Sequence, residues 1–125
     1  MLGNTLTVTY GGSGGTAVVC PSVNGTPAPY ASEYWLKGST YSTRARVRST
    51  KGAISKGVQQ PDRHNIRFEQ ALPPSDGFPN GRLRTCDLTI TTDPNDDMDE
   101  VVKIGQAMTF YATSTILGKV LGFES

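Results

Sequence analysis

The sequence predicts an α+β fold: an N-terminal β-hairpin, an antiparallel sheet, and two helices at the C-terminal end. Three observations predict it. Apolar and polar residues alternate with period two through successive segments up to residue 92. Stretches rich in glycine and proline separate those segments. From Asp93 onward the apolar residues recur at helical spacing instead.

Leu6, Val8 and Tyr10 alternate with Thr5, Thr7 and Thr9, the pattern of a half-buried strand. GGSGG at 11–15 and the β-rich TAVVC after it read as a hairpin with a glycine turn. No Lys-Ser/Thr and no helix signal follow the glycines, so the hairpin is favoured over a phosphate-cradling loop. Residues 21–29 read as a turn-rich connector and SEYWLK, 32–37, as a short aromatic strand. An arginine strand follows over about 41–50, then a turn at 51–57 and a strand over about 63–72. PPSDGFPNG, 73–81, is a long exposed loop, and LRTCDLTITT, 83–92, is the last strand. Asp93 and Pro94 supply a helix cap and a first-turn proline. Met98, Val101, Val102, Gly105, Met108, Tyr111 and Ala112 mark the first helix. After a break near 113–115, Ile116, Leu117, Val120 and Leu121 mark the second.

The chain has 125 residues, enough for one domain over 1–125. Its hydrophobic fraction is 36%, against roughly 45–50% for globular chains when Gly is counted as well. So lean a composition favours a core completed by a second copy. The N-terminus lacks the basic and apolar regions of a signal peptide. Residues 101–123 are too polar to span a bilayer, so a soluble protein without a membrane partner is expected. Cys20 and Cys86 fit neither a disulfide framework nor a metal site. They read as free thiols, with an interchain bridge as the alternative.

The net charge of +1 conceals an asymmetry. Between Lys37 and Arg67 stand eight basic residues and one acid, Asp62, whereas 87–100 holds six acids and no base. In STRARVRST, 42–50, Arg44, Arg46 and Arg48 occupy every second position and so share one face of a strand. Arg63, Asn65 and Arg67 alternate with His64, Ile66 and Phe68, and Thr85, Asp87 and Thr89 with Cys86, Leu88 and Ile90. Each strand therefore offers one polar and one apolar side, as in an antiparallel sheet wet on one face. The apolar set (Ala45, Val47, Ile66, Phe68, Leu88, Ile90) is expected under the C-terminal helices.

The polar face collects arginines with few acids among them, and Glu33, Trp35 and Lys37 are assigned to the same side. Guanidinium groups pair with phosphates and rings stack on unpaired bases, so single-stranded RNA is the expected partner. Salt bridges on an ordinary solvated sheet are the blander reading. Catalysis has little support. His64 is the only histidine and has no partner for nucleophilic or metal chemistry, which argues against an enzyme and against a small-molecule substrate. The acids of DPNDDMDE oppose a helix dipole. The alternative for Asp96, Asp97 and Asp99 is a divalent cation such as calcium between subunits; otherwise no cofactor is expected.

Five segments carry a resemblance: LTVTYGGSGGTA (6–17), SEYWL (32–36), RARVRSTK (44–51), RHNIRF (63–68) and GKVLGFES (118–125). With the order of elements, they resemble the coat proteins of single-stranded RNA bacteriophages (levivirus-type), in particular those of the Caulobacter RNA phage kind. The resemblance implies a five-stranded sheet and an interlocked homodimer in which the helices of one subunit cross the sheet of the other. It also implies a quasi-equivalent, T=3 icosahedral shell around genomic RNA, found in the virion and made in the host cytoplasm. In several members the inner sheet surface also binds an RNA hairpin as a translational repressor.

By position, the resemblance assigns RNA contact to Arg44, Arg46, Arg48, Arg63, Asn65, Arg67, Thr85 and Asp87, with Trp35 and Lys37 beside them. The enteric phage coats have small hydroxyl residues where this chain has Arg44 and Arg46, and those residues help form an adenine pocket. Arginines fill such a pocket, which shifts recognition toward phosphates and stacking. A non-assembling dimeric RNA-binding regulator is the alternative function. An RNA-cleaving enzyme relying on His64 comes third.

Overall fold

The computed structural model describes residues 3–23 and 30–123. Most of the connector expected over 21–29 lies outside the described residues. The strands are β1 (Thr5–Tyr10), β2 (Thr16–Pro21), β3 (Ala31–Lys37), β4 (Ser42–Thr50), β5 (Ile54–Ser55), β6 (Val58–Gln59), β7 (Asp62–Leu72) and β8 (Arg82–Thr92). The helices are α1 (Met98–Tyr111) and α2 (Ser114–Leu121). The chain divides into two compact units, Met1–Thr91 and Thr92–Ser125.

In the first unit the main sheet has four strands in the order β3-β4-β7-β8. This corrects the five strands that the resemblance implies: no further described segment joins this sheet. The chain between β4 and β7, expected as a turn, is interrupted by Gly52, Gly57 and Pro61. It folds back on itself as the two-residue ribbon β5-β6. The ribbon turns at Lys56 and Gly57, both with positive φ (51° and 76°), the mirror-image turn that suits the twist of a tight hairpin. Asp62 Oδ1 accepts from the Gly52 amide at 2.7 Å and closes the base of this excursion.

The hairpin β1-β2 pairs Val8 with Val18 and Leu6 with Cys20. Val8 and Cys20 are buried with Tyr34 of β3 and Ala45 of β4, flanked by Leu6, Tyr10 and Val18. Two hydroxyls fix the hairpin to the sheet: Tyr34 Oη donates to the Gly3 carbonyl at 3.0 Å, and Tyr10 Oη meets Thr43 Oγ1 at 2.7 Å. This corrects the expectation that helices alone cover the apolar face. The β3-β4 part lies under the N-terminal hairpin, because Thr43 and Ala45 are small enough to admit its side chains. On β7, by contrast, Ile66 and Phe68 remain 39% and 37% exposed. Both cysteines are free: Cys20 is fully buried in this core, and Cys86 is exposed.

The loop before β8 is shorter in reach than its sequence suggests. Ser75 and Phe78 exchange both backbone hydrogen bonds (3.1 and 2.9 Å), and the Arg82 guanidinium lies 4.3 Å from the Phe78 ring centroid. Gly81, at φ +77°, has the Leu72 carbonyl oxygen where a side chain would start, so no other residue fits without displacement.

In the second unit, α1 begins later than expected. Asp93 Oδ1 accepts from the Asn95 amide at 2.9 Å and closes a turn of its own. Asp97 caps the helix instead, accepting from the Asp99 amide at 3.0 Å. Thr113 caps α2, accepting from the Ile116 amide, so the break lies where the sequence indicates. Neither helix contains a buried residue. Met108, Phe110, Tyr111, Leu117, Val120 and Leu121 are all exposed. No described helix is long and apolar enough to cross a membrane.

Candidate nucleic-acid interface

Cross-strand register brings the polar side chains of the sheet into rows. β3 pairs with β4 so that Trp35 faces Arg44, Glu33 faces Arg46 and Lys37 faces Ser42. β4 pairs with β7 so that Arg44 faces Glu69, Arg46 faces Arg67 and Arg48 faces Asn65. Directly paired residues share a face, so Trp35, Glu33 and Lys37 stand with the arginines as their alternation requires. Asn65 Nδ2 donates to Thr89 Oγ1 at 2.9 Å, and Arg67 Nε donates to Asp87 Oδ1 at 2.7 Å. These contacts carry the surface onto β8, where Thr85 shares the parity of Asp87. All ten RNA-contact residues expected from the sequence therefore lie on one polar face.

The face is less bare of acid than the sequence count implies. Glu33 and Glu69 flank the window from Lys37 to Arg67 in sequence, yet register sets them inside the arginine cluster. Arg44 Nε lies 3.2 Å from Glu33, and Arg46 lies 3.8 Å from Glu33 and 3.9 Å from Glu69. Arg67 lies between Glu69 at 3.8 Å and Asp87. The guanidinium carbon of Arg44 also sits 5.6 Å from the Trp35 ring centroid, a cation–π contact on a half-exposed indole. The hydrogen bond from Arg67 holds the Asp87 carboxyl below its usual range, and the same bond raises the Arg67 guanidinium. Arg48 and Arg63 are exposed and have no ion pair among the described residues.

At that end of the sheet Arg48, Arg63 and Arg67 line a shallow hollow of about 340 Å³ with Asn65, Asp87 and Thr89. Thr50 and Thr89 also border it, and both carry the strand parity of the arginines. The alternation placed Thr89 on this side without assigning it RNA contact, and Thr50 was missed because threonine alternation is too common in this chain to single out. Donors outnumber acceptors in the hollow, so it suits an anion with several oxygens.

The remaining candidates do not join this face. His64 Nδ1 shares a hydrogen bond with Ser49 Oγ at 2.9 Å on the opposite parity. Asp96 and Asp97 each accept from a backbone amide one or two residues on, as helix-start residues do. Among the described residues no three His, Cys, Asp or Glu side chains converge as a metal site. A cation at Asp96, Asp97 and Asp99 would thus need ligands from a second subunit.

Comparison with curated proteins returned no match. A family model described as phage phiCb5, coat protein, matches residues 3–93, which span the hairpin and the whole sheet. The GKVLGFES resemblance lies beyond the matched region. The matched residues make up most of the chain and include all ten polar-face residues, so the chain belongs to the phage phiCb5 coat protein family, a structural, non-enzymatic family of capsid proteins.

Proposed function

We propose that the chain forms a homodimer and that its dimers assemble into an icosahedral, T=3 shell, with single-stranded genomic RNA packaged against the polar face of the sheet. One observation carries this reading: the two sides of the sheet differ in what they lack. The polar side offers arginines, Trp35 and hydrogen-bonding groups, and among the described residues Arg48 and Arg63 have no carboxylate partner. On the other side, exposed Ile66 and Phe68, like the exposed apolar residues of α1 and α2, call for cover. Among the described residues only four hydrophobic side chains are buried, a core too small to stabilise the fold alone, and a second copy supplies the missing burial.

RNA neutralises the basic face and releases counterions as it binds. An RNA hairpin on the same face would give a translational repressor. Synthesis in the bacterial host cytoplasm and assembly into virions follow from the same reading, which requires no cofactor. The alternative, a dimer that binds RNA without assembling, shares the sheet but has no use for the Pro73–Gly81 loop.

The test is light scattering and electron microscopy of the purified recombinant protein, with absorbance at 260 and 280 nm after nuclease treatment. Uniform shells holding protected RNA are expected. A persistent dimer that binds RNA supports the regulator, and shells without RNA contradict packaging.

A further inference from the structure

The polar face does not offer its five arginines equally. Arg44 and Arg46 are each held between the same two carboxylates, Glu33 on one side and Glu69 on the other. Two cations and two anions alternate there, and their charges cancel locally. Glu69 is only 12% exposed at its side chain, so water competes poorly for it. Arg67 is shared between Glu69 and Asp87. Arg48 and Arg63 have no carboxylate within 4.0 Å among the described residues, and both border the hollow beside Thr50, Asn65 and Thr89.

We propose that Glu33 and Glu69 act as built-in counter-ions that withhold Arg44 and Arg46 from RNA, leaving phosphodiester binding to Arg48 and Arg63 at the other end of the face. This rests on the reading that the polar face binds RNA. A phosphate approaching Arg44 or Arg46 meets two fixed negative charges and must displace one of them. That exchanges one anion for another and gains little. A phosphate entering the hollow meets two guanidinium groups with no carboxylate within 4.0 Å among the described residues; the one acid there, Asp87, is already paired with Arg67 at 2.7 Å, and binding releases counterions. The two glutamates are positioning residues: they hold Arg44 against Trp35 and set where the RNA backbone runs.

The experiment is the salt dependence of binding of a fluorescently labelled single-stranded RNA oligonucleotide to the full-length protein, read by anisotropy over a potassium chloride series. Each phosphate neutralised on a single strand contributes a slope of about 0.7 in log K against log salt. Arg48→Ala with Arg63→Ala is expected to reduce the slope by about 1.4, and Arg48→Lys with Arg63→Lys to restore most of it. Arg44→Ala with Arg46→Ala is expected to leave the slope nearly unchanged. Glu33→Gln with Glu69→Gln is expected to steepen it by freeing two cations. Circular dichroism melts confirm that each variant is folded.

The inference is overturned if the Arg44/Arg46 pair lowers the slope as much as the Arg48/Arg63 pair, or if the glutamine variants leave it unchanged. Wild-type protein with no salt-dependent RNA affinity overturns the interface reading itself, and the inference with it.

Discussion

Tyr10 Oη and Thr43 Oγ1 lie 2.7 Å apart, and this hydrogen bond ties the N-terminal hairpin to the arginine strand. Thr43 is 1% exposed, so its hydroxyl has no access to water once Tyr10 loses its own. Tyr10→Phe is expected to cost about 1–3 kcal/mol, the penalty of leaving a buried polar group unpaired. Tyr10→Phe combined with Thr43→Val removes both partners and is expected to cost less than the single change. Urea denaturation of the set checks it, and a double variant weaker than Tyr10→Phe contradicts it.

The Arg67–Asp87 pair sets a pH dependence. Its hydrogen bond lowers the Asp87 carboxyl in the folded state below the unfolded value of about 3.9. The contribution to stability is therefore present above that unfolded value and is lost as pH falls through the depressed folded value. Asp87→Asn is expected to melt below wild type at neutral pH, with the gap closing as the solution is acidified. A gap constant from pH 7 to pH 2 contradicts the assignment.

Lys56 occupies the left-handed region (φ 51°) in the turn between β5 and β6. A lysine there costs about 1 kcal/mol relative to residues that adopt this conformation readily. Lys56→Asn, creating the Asn-Gly pair that such turns favour, is expected to stabilise the fold by roughly 0.5–1 kcal/mol. A destabilised Lys56→Asn in chemical denaturation contradicts this account of the turn.

Phe68 lies on the side of β7 opposite the arginines and is 37% exposed. If a second copy covers it, Phe68→Asp sets a charge in that contact, and assembly is expected to fail. Sedimentation is expected to show loss of dimer and shell, with falling soluble yield. A variant that still assembles normally contradicts burial of Phe68 between subunits.

Strand parity made much of this surface legible in advance. The alternation of Arg44, Arg46 and Arg48 with Ala45 and Val47 is a local property, and so is that of Arg63 and Arg67 with Ile66 and Phe68. The pairing of Arg46 with Glu33 and of Arg44 with Glu69 was not legible, because register depends on where the turns close. Asp93, Asp96 and Asp97 are chemically equivalent as caps; only backbone geometry decides that Asp97 starts α1. Nor does alternation say which apolar element covers which stretch of sheet. The small side chains of Thr43 and Ala45 were the one sign that something packs closely there.

The most direct test of the central claim is ultraviolet cross-linking of packaged RNA in purified particles, with cross-linked residues identified by mass spectrometry. The account predicts cross-links on peptides from β3, β4, β7 and β8, at Trp35 and at residues around Arg48 and Arg63. Cross-links confined to α1, α2 or the hairpin β1-β2, with none on the sheet, would contradict it.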